Sequence, residues 1–302
     1  VAARFAAEKK LGRKAGRWAF ICSSEAHSSL KTAARVMDVD IIAAQADENG
    51  QLGGAAVEAA LLSAGERDVF AIVATGGTTN FGIVDRISEI ANVAKQNDVW
   101  LHIDGAYGLA AILAESTREL FAGIEHADSF IVDPHKWLFA PFDACALVYR
   151  NPEIAREAHT QHGEYLDTLT ESGEWNPSDY AVNLTRRPRG LPLWFSLATH
   201  GVAAYRAAVE TNCQLAHDAA ELIRKRPDLE LVRETMLSVV VFKKHGWTQA
   251  DYDKWSDKLL EDQIAFVVPS SHRGEPNLRF AIVNPTTSIE TISEILDRIE
   301  KD

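Results

Sequence analysis

Residues 99–108, VWLHIDGAYG, and residues 127–139, ADSFIVDPHKWLF, decide how this chain folds. Each holds a short apolar run that ends abruptly in an acidic residue and a turn: Val99 to Ile103 before Asp104-Gly105, and Ser129 to Val132 before Asp133-Pro134. Short runs with little polar alternation are the pattern of strands buried on both faces, as in a parallel sheet covered by helices. Asp104, and after the next run His135 and Lys136, therefore stand at the carboxyl ends of strands, where open parallel sheets bind ligands.

Working outward, similar runs occur at Trp18 to Cys22, Ile41 to Ala44, Val69 to Ala74 and Ala144 to Tyr149. Helix-like segments separate most of them. The clearest is Asp85 to Asn97, with Ile87, Ile90, Ala91 and Ala94 on one face and Asp85 as expected N-cap. Val1 to Leu11 reads as a helix closed by Gly12. Alternation of this kind predicts an α/β domain with a mainly parallel sheet. Asn151 to Arg189 is a polar stretch too long for a simple connector, and loops of that length are usually functional or disordered. A long helix from Pro192 to about Arg226 follows, with Gly201 as its weak point. Strands at Leu237 to Phe242, Ile264 to Val268 and Leu278 to Val283, and a last helix opened by a Thr287-Ser288-Ile289-Glu290 capping box, complete a small α+β domain. The expected division is residues 1–191 and 192–302.

A net charge of −12 over 302 residues, with the acidic groups dispersed, argues against nucleic acid and anionic membrane surfaces as partners. No apolar run is long enough to span a bilayer and no secretory leader is recognisable, so the expected compartment is the cytoplasm. Of the three cysteines, Cys22 and Cys145 fall within apolar strand-like runs, where a reduced thiol acts as a small hydrophobe.

Several segments can carry chemistry. Lys136 stands among Pro134, His135, Trp137, Leu138 and Phe139, company that would desolvate its amine and make it available for Schiff-base formation. Asp104 and Ala106 would share one face of an extended backbone, a carboxylate beside a methyl on which a flat ring could lie. Two hydroxyl-rich turns, Ser23 to Ser29 (SSEAHSS) and Ala74 to Asn80 (ATGGTTN), follow strands and could cradle a phosphate or a planar ligand. Read singly, plainer alternatives exist: Asp104 as the cap of a turn, Lys136 as a solvated loop residue, the turns as local chemistry alone. His102, Asp104, Asp133 and His135 could also be read as metal ligands, but that leaves Lys136 without a role, and no metal is expected.

Taken in order, SSEAHSSLKTAARVM, ATGGTTNFGIVD, WLHIDGAYG and ADSFIVDPHKWLFAPFDACALVY resemble the group II pyridoxal-phosphate-dependent decarboxylases, the family of aromatic amino acid and glutamate decarboxylases. The pairing of HIDGAYG with DPHKW carries most of the specificity, and Lys136 stands 32 positions after Asp104, as in that family. The resemblance implies a fold-type-I large domain, pyridoxal 5'-phosphate as cofactor, an amino acid substrate and a homodimer. It implies that Lys136 holds the cofactor, that Asp104 binds its ring nitrogen, that His27 stacks on the ring and that Ala106 packs on the other face. Thr79 corresponds to a threonine near the ring substituents, and Asp133 and His135 to the positions that help place the cofactor and its phosphate. Tyr165, 29 positions after Lys136, corresponds to a tyrosine on a catalytic loop that donates a proton to Cα. The family's Gly-rich phosphate motif, Thr-Ser-Gly-Gly-(Thr/Ser)-Glu-Ala-Asn, is not found here, and the expectation is that the numbered chain lacks the N-terminal segment that carries it. Decarboxylation of an aromatic L-amino acid is the favoured activity. An aldehyde synthase or carbon-carbon lyase of the same fold, and a non-catalytic fragment, are the rival readings; Tyr165 argues against the aldehyde synthase.

Overall fold

The structure, a computed structural model, describes residues 1–161 and 175–300. Six strands form the main sheet: β1 (Arg17–Ser23), β2 (Asp40–Ala44), β3 (Arg67–Thr75), β4 (Trp100–Asp104), β5 (Ser129–Val132) and β6 (Ala146–Tyr149). They lie in the order β2-β1-β3-β4-β5-β6. The first five are mutually parallel and β6 returns antiparallel to β5. Because the parallel strands all point one way, the turns that leave β1, β3, β4 and β5 emerge along one edge on four neighbouring strands. This register, with Thr75 beside Asp104 and Asp104 beside Ile131, positions the site.

The apolar runs form strands because both faces are covered. Ile21, Ile72, Leu101 and Ile103 are sealed in one core with Ile87, Ile90, Ala91 and Ala94 of the helix α4 (Ile87–Gln96). Asp85 is not the N-cap of that helix: Arg86 takes the position without a side-chain cap, and the Asp85 carboxylate turns inward to other backbone groups. Earlier come α1 (Ala2–Leu11), closed by Gly12 in the left-handed region, α2 (Ser29–Met37) and α3 (Gly54–Leu62). Part of the stretch read as loop is helical. Asn151 accepts the Glu153 N–H and Pro152 sits at the first turn of α5 (Pro152–His159), a start signal that the polar composition masked.

The second sheet is antiparallel in the order β7-β8-β10-β9, from β7 (Leu229–Leu231), β8 (Val239–Lys244), β9 (Ser270–His272) and β10 (Glu275–Ala281). Helices α6 (Gly190–Arg224), α7 (Gln249–Glu261) and α8 (Ile289–Glu300) pack on it, with Ile223, Phe242, Trp255 and Leu296 in its core. Ile264 to Val268 is irregular rather than a strand, since the pairing partner of β10 begins only at Ser270. The cap of α8 is Ser288, whose Oγ accepts the Thr291 N–H, one residue beyond the expected box. Gly201 departs from helical geometry inside α6, at φ 75° and ψ 157°, where the sequence showed a weak point. Cys22 and Cys213 are the buried thiols; Cys145, just before β6, is exposed, so the apolar run there does not bury it.

Candidate active site

In β4, Leu101 and Ile103 enter the core and His102 and Asp104 take the other face. His102 is spoken for by Ser129, whose Oγ lies 2.8 Å from its Nδ1. Burial lowers the His102 pKa, and the nearby Asp104 opposes that shift. Among the described residues no three groups form a metal-binding cluster.

The chain turns directly after Asp104. Its Oδ1 accepts the Ala106 N–H at 3.2 Å, so Asp104 closes a local turn, and the extended backbone that would have set it beside Ala106 ends there. The Asp104 carbonyl accepts the Gly76 N–H at 2.8 Å, and the Ala106 carbonyl accepts the Asp133 N–H at 2.9 Å. Three successive strand ends are thereby joined: the β3 turn to Asp104, and the β4 turn to Asp133. Gly77 makes the first junction possible. A Cβ there would lie 2.6 Å from the Gly108 Cα, and its φ of +114° excludes most side chains.

After β5 the chain makes a tight turn in which the Lys136 N–H donates to the Asp133 carbonyl at 2.9 Å. This folds the lysine back so that Nζ lies 2.9 Å from Asp133 Oδ2, with the lysine side chain 43% exposed and the aspartate 15%. A half-open amine steadied by a more buried carboxylate is accessible to a ligand without being free to wander. His135 is turned away towards β6: as the Nδ1–H tautomer it donates to the Ala144 carbonyl at 2.5 Å, and its ring lies 4.4 Å from Phe142. Trp137 is fully buried and donates its indole N–H to Asn212 Oδ1 of α6 at 2.9 Å.

Thr79 is exposed at the tip of the β3 turn, while Thr78 is buried and accepts the Ile83 N–H through Oγ1 at 3.1 Å. His27 is exposed on the β1 turn, where its Nδ1 accepts the Ser29 N–H at 3.2 Å. The structure thus ties Asp104, Ala106, Asp133 and Lys136 into one bonded unit with the Thr79 turn against it. His27 stands on the same sheet edge, one strand beyond β3. Tyr165 lies outside the described residues.

Three further residues have contacts near this edge that the sequence did not announce. Cys145 is exposed as a residue, but its thiol is close enough for Asp133, Lys136 and Asp104 all to act on it; partial desolvation first, then Asp133, pushes the thiol up to about 11, so it is protonated at neutral pH. Tyr107 is partly buried, stacks on Trp137 and bonds to Ser238 of the second sheet's approach. Arg279 of β10 has a buried Nε with no partner among the described residues, and burial lowers its pKa while Tyr107 opposes. No local pattern could have linked residues 107, 238 and 279.

The family described as pyridoxal-dependent decarboxylase conserved domain matches residues 4–245. The chain belongs to this family. It is 34% identical over 244 residues to an aromatic-L-amino-acid decarboxylase of Bacillus atrophaeus, covering 76% of this chain and 50% of that one. It is 32% identical over 277 residues to the aromatic-L-amino-acid decarboxylase of Rattus norvegicus, covering 87% and 56%. The chain spans about half the length of the curated relatives it matches. A crystal structure of Oryza sativa TDC with PLP and tryptamine superposes with a TM-score of 0.88 at 27% identity, over 99% of this chain and 66% of that one. The fold is therefore fold type I, and pyridoxal phosphate is the family's cofactor.

The residues present fit that group chemically. Its aldehyde calls for an amine, and Lys136 is half-exposed; its ring nitrogen calls for an anionic partner, and Asp104 stands at a strand end; its flat faces call for small or flat side chains, of which Ala106 and His27 lie along the same sheet edge.

Proposed function

We propose that this chain is the cofactor-binding part of an L-amino acid decarboxylase, with aromatic L-amino acids as the favoured substrates and a homodimer as the working unit. One observation carries the reading: Lys136, Asp133 and Asp104 belong to a single bonded unit at adjacent strand ends. The names of the relatives support the aromatic preference. On this reading residues 1–191 form the cofactor-binding unit and residues 192–302 the smaller one.

Bound pyridoxal phosphate supplies a conjugated electron acceptor for the pair left on Cα when carbon dioxide departs. The chain's own residues do the rest. Lys136 Nζ would hold the cofactor through its aldehyde carbon, and Asp133 keeps that amine aimed by its ion pair. Asp104 presents a carboxylate to the ring nitrogen and holds a proton there, because an anion beside the group favours its charged form. Ala106 and His27 would hold the two faces of the ring and so orient the bound amino acid. The hydroxyl of Thr79 and the turns that end β1 and β3 hold ring substituents and phosphate. Tyr165 delivers a proton to Cα; this role rests on the sequence resemblance.

A panel of L-amino acids, scored for carbon dioxide and amine after reconstitution with pyridoxal phosphate, tests the activity. Release of both from an aromatic substrate is expected. Borohydride reduction followed by peptide mapping should place the pyridoxyl label on Lys136, and a stoichiometric label on another lysine would overturn the assignment.

A further inference from the structure

We propose that Asp85 is a positioning residue which clasps the base of the Gly76 to Val84 loop and so holds Thr79 against the cofactor, a role that rests on the reading of Thr79 given above. Asp85 is 1% exposed, and each of its carboxylate oxygens accepts a backbone N–H from a different segment: Oδ1 from Leu52 at 2.8 Å and Oδ2 from Thr75 at 2.7 Å. Its own N–H donates to the Thr75 carbonyl at 2.9 Å. Asp85 and Thr75 are therefore joined by two antiparallel hydrogen bonds, and the loop between them is closed at its base. A carboxylate suits this position because both oxygens accept; an amide would face one of the two N–H groups with a donor of its own.

The loop continues the clasp upward. Gly76 pairs with Val84, the Thr78 N–H donates to the Ile83 carbonyl at 2.8 Å, and Thr78 Oγ1 accepts the Ile83 N–H. Thr79 and Asn80 are what remains outside, exposed at the tip. At the bottom, the Gly76 N–H that follows Thr75 donates to the Asp104 carbonyl. Asp85 thus acts one hydrogen bond from the loop base, and that base is bonded to the backbone of the residue read as the partner of the ring nitrogen. Burying a carboxylate costs free energy that a distant surface cap would not, and here it is used at the base of the loop, where Gln51 Nε2 donates to the Val84 carbonyl at 2.8 Å and Met236 Sδ accepts the Val84 N–H, so that Asp85 is the one charged group of the clasp among the described residues.

The test is a double-substitution cycle on the whole chain, reading pyridoxal phosphate affinity by titration and backbone protection by hydrogen-deuterium exchange. Asp85→Asn should weaken the cofactor by about tenfold, the loss of one hydrogen bond to a charged group, and speed exchange across residues 75–84. In a Thr79→Val background the same change should add less than about twofold, because the contact through which Asp85 acts is already gone. Equal losses in both backgrounds, or unchanged exchange across the loop, would overturn the proposal. Should Asp85→Asn fail to fold by circular dichroism, Thr78→Val takes its place, since it removes the loop's upper side-chain clasp. Parental affinity in that variant would equally overturn it. A Thr79→Val protein that binds cofactor like the parent would sink the role of Thr79 itself, while the exchange data still judge the clasp.

Discussion

The rings of Tyr107 and Trp137 lie stacked, 5.1 Å between centroids and 11° between planes. Through this contact the segment that begins at Asp104 touches the residue next to Lys136. Tyr107 reaches on to Ser238 and Trp137 to Asn212, so the stack also anchors the site to the second half of the chain.

Trimming this stack should cost stability in proportion to what is removed. Trp137→Ala empties a fully buried site and is expected to destabilise by about 3–5 kcal/mol, whereas Tyr107→Phe keeps the stack and loses the two hydrogen bonds between its hydroxyl and Ser238, about 2 kcal/mol. Denaturant unfolding of both variants checks the ratio. Similar losses from the two would mean that the Ser238 bond, not the ring contact, joins the halves.

Asp104→Asn keeps the shape of the strand end and removes its charge. Cofactor should still bind and Lys136 should still take a borohydride label, while turnover falls by about a hundredfold or more as proton retention at the ring nitrogen is lost. Near-parental decarboxylation would assign that proton to another group.

Asp85 makes a pH prediction with a definite sign. Burial pushes its pKa up to about 7, against the pull of the Leu52 and Thr75 N–H groups and with a smaller push from Asp47. The folded pKa lies above the unfolded value of about 4, so the folded state binds this proton more tightly. The contribution is fully present below about pH 4 and is lost as pH rises to about 7. The stability of the parent relative to Asp85→Asn should therefore fall by about 1.4 kcal/mol per pH unit across that window and level off above it. A flat difference would mean that Asp85 is ionised throughout.

Tyr165→Phe removes a proton donor and keeps the ring. Amine formation is expected to collapse while carbon dioxide release continues, with aldehyde appearing in air; amine, aldehyde and carbon dioxide measured in one reaction decide it. Amine at the parental rate would leave Tyr165 another role.

The parallel strands were legible because most of them, β1 and β3 above all, are covered on both faces, which leaves an apolar run that no loop would carry. Asp104 and Lys136 were legible for a related reason: a strand that ends in a charged residue announces which edge it faces. The antiparallel return of β6 was not, since Ala146 to Tyr149 is as apolar as its neighbours and only pairing with β5 sets its direction. The helix α5 was missed because polar composition outweighed the Asn151-Pro152 start. Asp85 was read as a cap because an aspartate before a helix is normally one, and nothing local reveals that Leu52 and Thr75 compete for its oxygens.

By itself the sequence determined the order of strands and turns, and with it which residues could share the ligand-binding edge, because periodicity and strand ends are local properties. Only the tertiary structure decided how those residues are held. The joining of the β3, β4 and β5 turns through backbone bonds and the clasp at Asp85 depend on the sheet order, which brings segments distant in the chain within hydrogen-bond reach. Long-range hydrogen bonds leave no periodic trace in a sequence, since either partner alone looks like an ordinary turn residue.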